Sequence, residues 1–353
     1  MADTQPFVAY LRERLPLVET AIAQAAARPL TEREPAGDLR RYLYEPLAHF
    51  TAGGGKRVRP VLCLLGAEAT GGNATSALSA AVAIELFQSA ALIHDDIADA
   101  SELRRGEPCL YRTEGEGLAI NCGDLALTQV FEVVLADQGL PAERRLRVLE
   151  ELVRMERHTL EGQALDLGWA RDARWDVTPE DYLYMVDAKT AWYTCASPLY
   201  IGALAAGASE QAAAGLIEVG LHAGIAFQLQ DDLLNLVGNA EAQGKDFRSD
   251  ITEGKRTLAV VSALSTLERE GRAYAREELV GLLGAGTTSK DELAHAVALI
   301  ESAGGIEHCR VRAEAEAEAA TQGALALERE GHISAEACEL IRSMASFFIQ
   351  RTS

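Results

Sequence analysis

At 353 residues and 48% apolar side chains, the chain is long enough to bury a substantial core. Its formal charge of -20 argues against a general affinity for nucleic acid or anionic membrane, both of which need net Lys and Arg, but leaves room for a local basic pocket. Six scattered cysteines (Cys63, Cys109, Cys122, Cys195, Cys309, Cys338) form no CxxC or Cys/His cluster, the pattern of free thiols in a reducing cytosol.

Met1 to Pro6 carries no basic region or apolar core of a signal peptide, and no uncharged apolar run reaches bilayer length. The expectation is a cytoplasmic protein with no integral membrane segment. A helical period runs from Pro6 to Ala27, and Thr31 to Glu34 reads as a capping box. Gly53-Gly54-Gly55 is a loop leading into Lys56-Arg57-Val58-Arg59-Pro60 and an apolar run to Leu65. After a break at Thr70 to Asn73, a long apolar helix runs down to Asp99. Arg104 to Thr113 reads as a loop, Asn121 to Leu135 as a helix, and Pro141 opens another. The next break falls at Trp169 to Val177. Thr178-Pro179-Glu180-Asp181 is a strong helix start, with a cap, a first-turn proline and two acids on the dipole. Gly238 to Gly254 is a second loop, and the remainder is Ala/Glu-rich helix, with Ser289 to Glu292 as a further capping box. Alternating β-branched stretches are nearly absent. With no linker and no repeat, the sequence predicts one all-α domain over residues 1–353, a helical bundle whose active groups come from distant segments.

Two acidic clusters carry the chemistry. Asp95 and Asp99 are four apart, so on a helix both carboxylates leave one face, which is apolar upstream through Ala91 and Phe87. Such acids are rarely buried without a cation between them, and an oxygen-only set favours magnesium shared with a phosphate. Gln228 to Asn235 repeats the design, with Phe227, Asp231 and Asn235 in steps of four. The basic clusters are Gly53 to Pro60, Arg104-Arg105, Lys189-Thr190 and Gly244 to Thr257. Flexible backbone beside fixed Lys and Arg suits diphosphate oxygens. Each also has a plain reading: a basic turn neutralising nearby acids, Arg104 bridging to Glu102 or to the aspartates, a snorkelling Lys189, a charged surface loop.

Taken in order from residue 53 to 257, these segments resemble the trans-isoprenyl diphosphate synthase (polyprenyl synthetase) family. The resemblance implies a helical bundle with a central apolar cavity and a homodimer. It further implies that Asp95 and Asp99 ligate several magnesium ions on one side of an allylic diphosphate, and Asp231 on the other. Arg104, Lys189, Lys245 and Lys255 would hold that diphosphate. Lys56, Arg59 and Arg105 would hold isopentenyl diphosphate, with Gln88 where many members have histidine. Thr190 and Gln228 would present oxygen dipoles to the developing carbocation. Asn235 departs from the family's last aspartate, leaving a neutral oxygen.

Product length is read along the helix behind Asp95. Ala90 and Ala91 are small where bulk stops elongation early in the family. A floor at Phe87 lengthens the cavity by one helical turn, about 5.4 Å or roughly one isoprene unit. That favours geranylgeranyl diphosphate if Phe87 closes the cavity, and a longer product if Phe87 turns aside; the plain reading of Phe87 is core packing. A class I terpene cyclase would not need the Gly53 to Pro60 cluster or Arg105. A non-catalytic partner subunit would not need nearly every charged group retained. A di-metal carboxylate bundle calls for two Glu-x-x-His motifs, and only Glu292-x-x-His295 is present.

Overall fold

The computed structural model describes residues 2–26, 37–238 and 247–351. The helices in chain order are α1 Gln5–Ala26, α2 Glu45–Ala52, α3 Val58–Ala69, α4 Leu78–Ala98, α5 Leu110–Glu114, α6 Glu116–Leu135, α7 Ala142–Arg171, α8 Pro179–Val186, α9 Ser197–Ala206, α10 Glu210–Val237 and α11 Ser249–Thr252, followed by α12 Leu258–Arg269, α13 Ala273–Gly284, α14 Lys290–Ser302, α15 Gly305–Arg329 and α16 Ala335–Gln350. The all-α expectation is met. Among the described residues the strands amount to one hairpin, Leu103–Arg104 paired antiparallel with Glu107–Pro108.

That hairpin corrects the reading of residues 104–113 as loop. Arg105 (φ 56) and Gly106 (φ 85) both take positive φ, as a two-residue hairpin turn of the primed type requires. α5 then fills the rest of the segment. α7 continues to Arg171, so the break predicted from Trp169 begins later. The capping box at Thr178 forms, with Asp181 answering at its third position. At Ser289 it does not: Ser289 makes no side-chain cap bond, because Thr287 takes the Glu292 carboxylate. Thr31 to Glu34 lies outside the described residues.

α8 does not end at Val186. Asp187–Ala196 continues it as π-helical turns, and α9 follows without a break in helical dihedrals. Such widened turns inside a helix are rare and concentrate at functional sites. Here they carry Lys189 and Thr190.

Two apolar clusters surround the site. One joins α1, α3, α4, α9 and α16 and includes Phe7, Leu64, Ile84, Leu199 and Phe348. The other joins α8, α12, α13 and α14 and includes Tyr182, Leu258, Leu264 and Ile300. α10 belongs to both, Ala223 and Ala226 in the first and Leu229 and Leu233 in the second. Its acidic end therefore sits where the two halves of the core meet.

Residues 74–98, 116–135 and 210–237 are long and apolar enough to cross a membrane by length and composition alone, which qualifies the expectation that no run reaches that length. Packing accounts for most of this apolarity in α4, where 72% of the window is buried, and for less in α6, at 39%. All six cysteines are free and buried. His295 bonds Glu278 at the surface, far from the aspartates in sequence.

Candidate active site

The first acidic cluster closes α4. Asp99 caps the helix, its N–H donating to the Asp95 carbonyl at 2.8 Å. Asp96, 1% exposed, is held by Arg104 with Nε at 2.9 Å. The side chain predicted to grip a diphosphate is thus also bonded to the middle aspartate. Asp95 accepts from Gln163 Nε2 on α7 at 2.8 Å. Burial raises the Asp95 pKa, with Lys189, Lys255 and Arg104 opposing and Asp99 adding repulsion.

The end of α10 forms the second acidic group, and Lys189 and Lys255 beside it act on Asp95 as well. A cavity of about 150 Å³ is lined there by Asp166, Tyr182, Lys189, Thr190, Gln228, Asp231, Asp250 and Lys255. Five of the predicted residues therefore share one pocket. Lys189 is ion-paired to Asp166. Burial alone would raise the Asp166 pKa, but the ammonium groups of Lys189 and Lys255 overcome it and hold the carboxyl below its ordinary range. Lys255 is pushed up: burial opposes its charge, and Asp250, Asp166, Glu253 and Asp99 more than offset that. Asp250 is raised by burial, against Lys255 and with the repulsion of its acidic neighbours. Lys245 lies outside the described residues.

Asn235 has a local reason to be an amide. Its Nδ2 donates to Ser249 Oγ at 3.1 Å and its Oδ1 accepts the Asp250 N–H at 3.3 Å, tying the segment that carries Lys255 back onto α10. A carboxylate can only accept, and would stand close to Asp250.

A second cationic group forms beside the glycine loop. The Arg105 guanidinium lies over Gly55, where an added Cβ would stand 3.2 Å from its Nη2. Arg59 donates through Nη2 to Tyr193 (2.8 Å) and Thr194 (2.9 Å) and stacks on the Tyr193 ring at 4.3 Å. Arg105 has its pKa lowered by burial and by the repulsion of Arg57, Arg104 and Arg59, with Glu85 opposing. Cations crowded this way suit a polyanion. Lys56 is lowered likewise, by burial and then by Arg351. Gln88 is buried with its Oε1 unpartnered among the described residues. The length-determining trio separates. Phe87 is 2% exposed and meets Tyr193 edge-on at 5.8 Å, so it is packed in the core. Ala90 is enclosed by Leu47, Cys122 and Ala126, and only Ala91 remains half-buried beside Asp95's face.

Sequence reasoning missed Gln163, Asp166, Asp232, Asp250 and Arg351 as site residues. The Gly162-Gln163-Ala164-Leu165-Asp166 run is a legible signal, a polar interruption on one face of a long helix. Arg351, at the far end of the chain, offers none. Its guanidinium meets Asp231 at 2.8 Å and covers Phe227 at 4.1 Å.

The donor set bears on a metal. Among the described residues no three carboxylate, histidine or thiolate groups converge as a ready cage. Asp95 and Asp99 on one wall and Asp231 on the other fit ions held by one or two carboxylates each and completed by phosphate oxygens and water, the habit of magnesium.

Two facing acidic helix ends, a cationic group on either side and an all-helical wall define a site for diphosphate chemistry on an apolar substrate. The polyprenyl synthetase model matches residues 40–300, and the chain belongs to that family. It is 37% identical over 305 residues to the short chain isoprenyl diphosphate synthase of Methanothermobacter thermautotrophicus, covering 86% of this chain and 88% of that one. Its fold superposes on geranylgeranyl pyrophosphate synthetase of Pyrococcus horikoshii with a TM-score of 0.85 at 31% identity, over 98% of both chains. A geranylgeranyl pyrophosphate synthase of Corynebacterium glutamicum, complexed with isoprenyl diphosphate and magnesium, superposes with a TM-score of 0.80 at 29% identity, over 99% of this chain and 97% of that one. The protein is an isoprenyl diphosphate synthase, a trans-prenyltransferase that makes a linear polyprenyl diphosphate.

Proposed function

We propose that the protein condenses isopentenyl diphosphate with allylic diphosphates to make chiefly geranylgeranyl diphosphate, with magnesium. The observation that carries this reading is the single pocket shared by Lys189, Thr190, Gln228, Asp231 and Lys255. Asp95, Asp99 and Asp231 would hold the magnesium ions, which when bound draw charge from the departing diphosphate. Lys189, Lys255 and Arg104, with Lys245, would hold the allylic diphosphate and stabilise it as its C–O bond breaks. Thr190 and Gln228 face the cation left behind. Lys56, Arg59 and Arg105, with Gln88, would hold isopentenyl diphosphate so that its double bond attacks that cation. Attack leaves the positive charge on the tertiary carbon of the isopentenyl unit; the neighbouring carbon gives up a proton to the released diphosphate, and its C–H electrons form the new double bond. The packed helical walls exclude water, which would otherwise quench the cation.

The small, half-buried side chain of Ala91 on the face of Asp95, with the ring of Phe87 one turn deeper, supports a product longer than farnesyl. The reading includes one domain over 1–353, a cytoplasmic location and a homodimer. The dimer is supported by α7, where Leu146, Val153, Leu160 and Leu167 are 58, 54, 64 and 40% exposed at seven-residue spacing. Ile120 and Leu135 of the neighbouring α6 are exposed as well. An apolar stripe with that period suits a second helix laid along it.

The test is incubation of purified protein with magnesium, isopentenyl diphosphate and, in turn, dimethylallyl, geranyl and farnesyl diphosphates, with products identified by mass. Elongation to a C20 product that chelation abolishes and Asp95→Ala removes is expected. Diphosphate release without elongation would point instead to a cyclase, and no turnover to a subunit lacking its partner. Light scattering of the same sample reads the dimer.

A further inference from the structure

Tyr182 and Asp232 line the same pocket, and the mechanism above uses neither. Both are almost wholly enclosed, at 2% and 4% exposure. The Tyr182 hydroxyl donates to Asp232 Oδ2, and Gln228 Nε2 donates to Asp232 Oδ1 at 2.8 Å. Asp232 and Gln228 are one turn apart on α10, and Tyr182 reaches them from α8, whose first turn is pinned by the Thr178–Asp181 capping box. Both carboxylate oxygens are therefore used as acceptors. An amide has one donating end and one accepting end. With its nitrogen end held at Asp232, the amide of Gln228 is oriented so that its oxygen is the end free to turn toward the pocket it lines.

We infer that Tyr182 and Asp232 are positioning residues that set the polarity of the Gln228 amide, so that its oxygen rather than its nitrogen faces the allylic carbons. The inference rests on the prenyl-transfer reading above. It matters because the amide dipole is useful in one sense only. A carbonyl oxygen fixed in advance stabilises positive charge as the C–O bond ionises, whereas a reversed amide would oppose it. Water could not replace this service without capturing the cation. Tyr182 in turn fills the second oxygen of Asp232, leaving the carboxylate one remaining role.

The test is a double-mutant cycle. Tyr182→Phe/Asp232→Leu removes the buried hydroxyl and its carboxylate acceptor together, so that neither is left buried without the other, and only the Gln228 amide at the pocket wall loses a partner. Gln228→Met removes the amide. In otherwise native enzyme, Tyr182→Phe/Asp232→Leu is expected to lower kcat by about 10- to 100-fold, with KM for both diphosphates and the magnesium half-saturation little changed. In the Gln228→Met background the same pair should cost less than about twofold. An equal loss in both backgrounds, an unchanged kcat, or a loss explained by weakened magnesium binding would each overturn the inference. Failure of the native enzyme to elongate any starter would instead remove the prenyl-transfer reading itself, so the two failures are distinct.

Discussion

Lys189 reaches Asp166 because Gly162, four residues before that aspartate, has no side chain. A Cβ at Gly162 would lie 2.3 Å from the Lys189 backbone N and 2.7 Å from its Cα. α7 thus lies directly against the π-helical turns of 187–196, and the ion pair closes the contact. The same approach lets Gln163, the next residue, bond Asp95 on α4. One small residue thus sets the spacing between α7 and the π-helical turns that carry Lys189 and Thr190.

Gly162→Ala should therefore damage the site through the backbone. The atoms it meets are main-chain, so relief requires α7 or the π-helical turns to move. A loss of about 1–3 kcal/mol is expected, read as a lower thermal midpoint. Elongation should fall further than stability explains, since Lys189 and Thr190 move with the backbone. Retention of full activity with an unchanged midpoint would show that the contact is slack.

Alternate cations in Lys56-Arg57-Val58-Arg59 separate by role. Arg57 points inward, 5% exposed, and pairs with Glu85, itself 4% exposed. Removing one partner of such a pair strands a buried charge, at a cost of about 3–5 kcal/mol. Arg57→Ala should lower the unfolding midpoint sharply. Lys56→Ala, at an exposed position, should leave the midpoint in place and raise KM for isopentenyl diphosphate. Equal midpoints for the two variants would contradict this division.

Glu156 on α7 sets a pH dependence. Its Oε1 is buried with no hydrogen-bond partner among the described residues, and burial raises the carboxyl from 4.5 to about 7. Because the folded state favours the protonated form, stability contributed at low pH is lost as pH rises from about 4.5 to about 7, and is level above that. Glu156→Gln should abolish this segment of the slope and stabilise the protein chiefly above pH 7. Denaturant midpoints at pH 5 and pH 8 decide it: a variant whose pH 5 to 8 difference equals that of the native protein would show that Glu156 finds a partner in solution.

The fold class and the two acidic helix ends were legible because both are local. Composition favours helix, and four-residue spacing fixes a face whatever the surroundings. Residues acting through a neighbour were not. Asp232 reads as the second half of an aspartate pair, yet it is turned away to Tyr182, while Asp231 faces Arg351 from the far end of the chain. Arg104 reads as a ligand-binding cation, and its bond to Asp96 appears only once the hairpin folds it back onto α4. Pairings of this kind depend on contacts between segments 50 or more residues apart or on turn geometry, and spacing along one helix carries neither.

Ala90 and Ala91, which the sequence treats as equivalent, should respond oppositely to bulk. Ala90 is fully buried against Leu47, Cys122 and Ala126, in the apolar cluster between α2, α4 and α6. A phenylalanine there has no space to enter, and overpacking of this kind costs about 1–3 kcal/mol or more. Ala91 is half-buried on the face that Asp95 shares, four residues on and one turn nearer the metal-binding end than Phe87. Ala91→Phe therefore places a ring about 5.4 Å closer to Asp95 than the ring of Phe87, a shortening of roughly one isoprene unit. The expected outcome is a stable enzyme that releases farnesyl diphosphate from dimethylallyl or geranyl starters. Ala90→Phe should instead lower the unfolding midpoint with little change in the length of whatever product it makes. Product masses and thermal midpoints measured on both variants separate the cases. A shortened product from Ala90→Phe and an unchanged one from Ala91→Phe would mean that the chain grows toward α6, and the floor would then have to be sought among Cys122 and Ala126 rather than at Phe87.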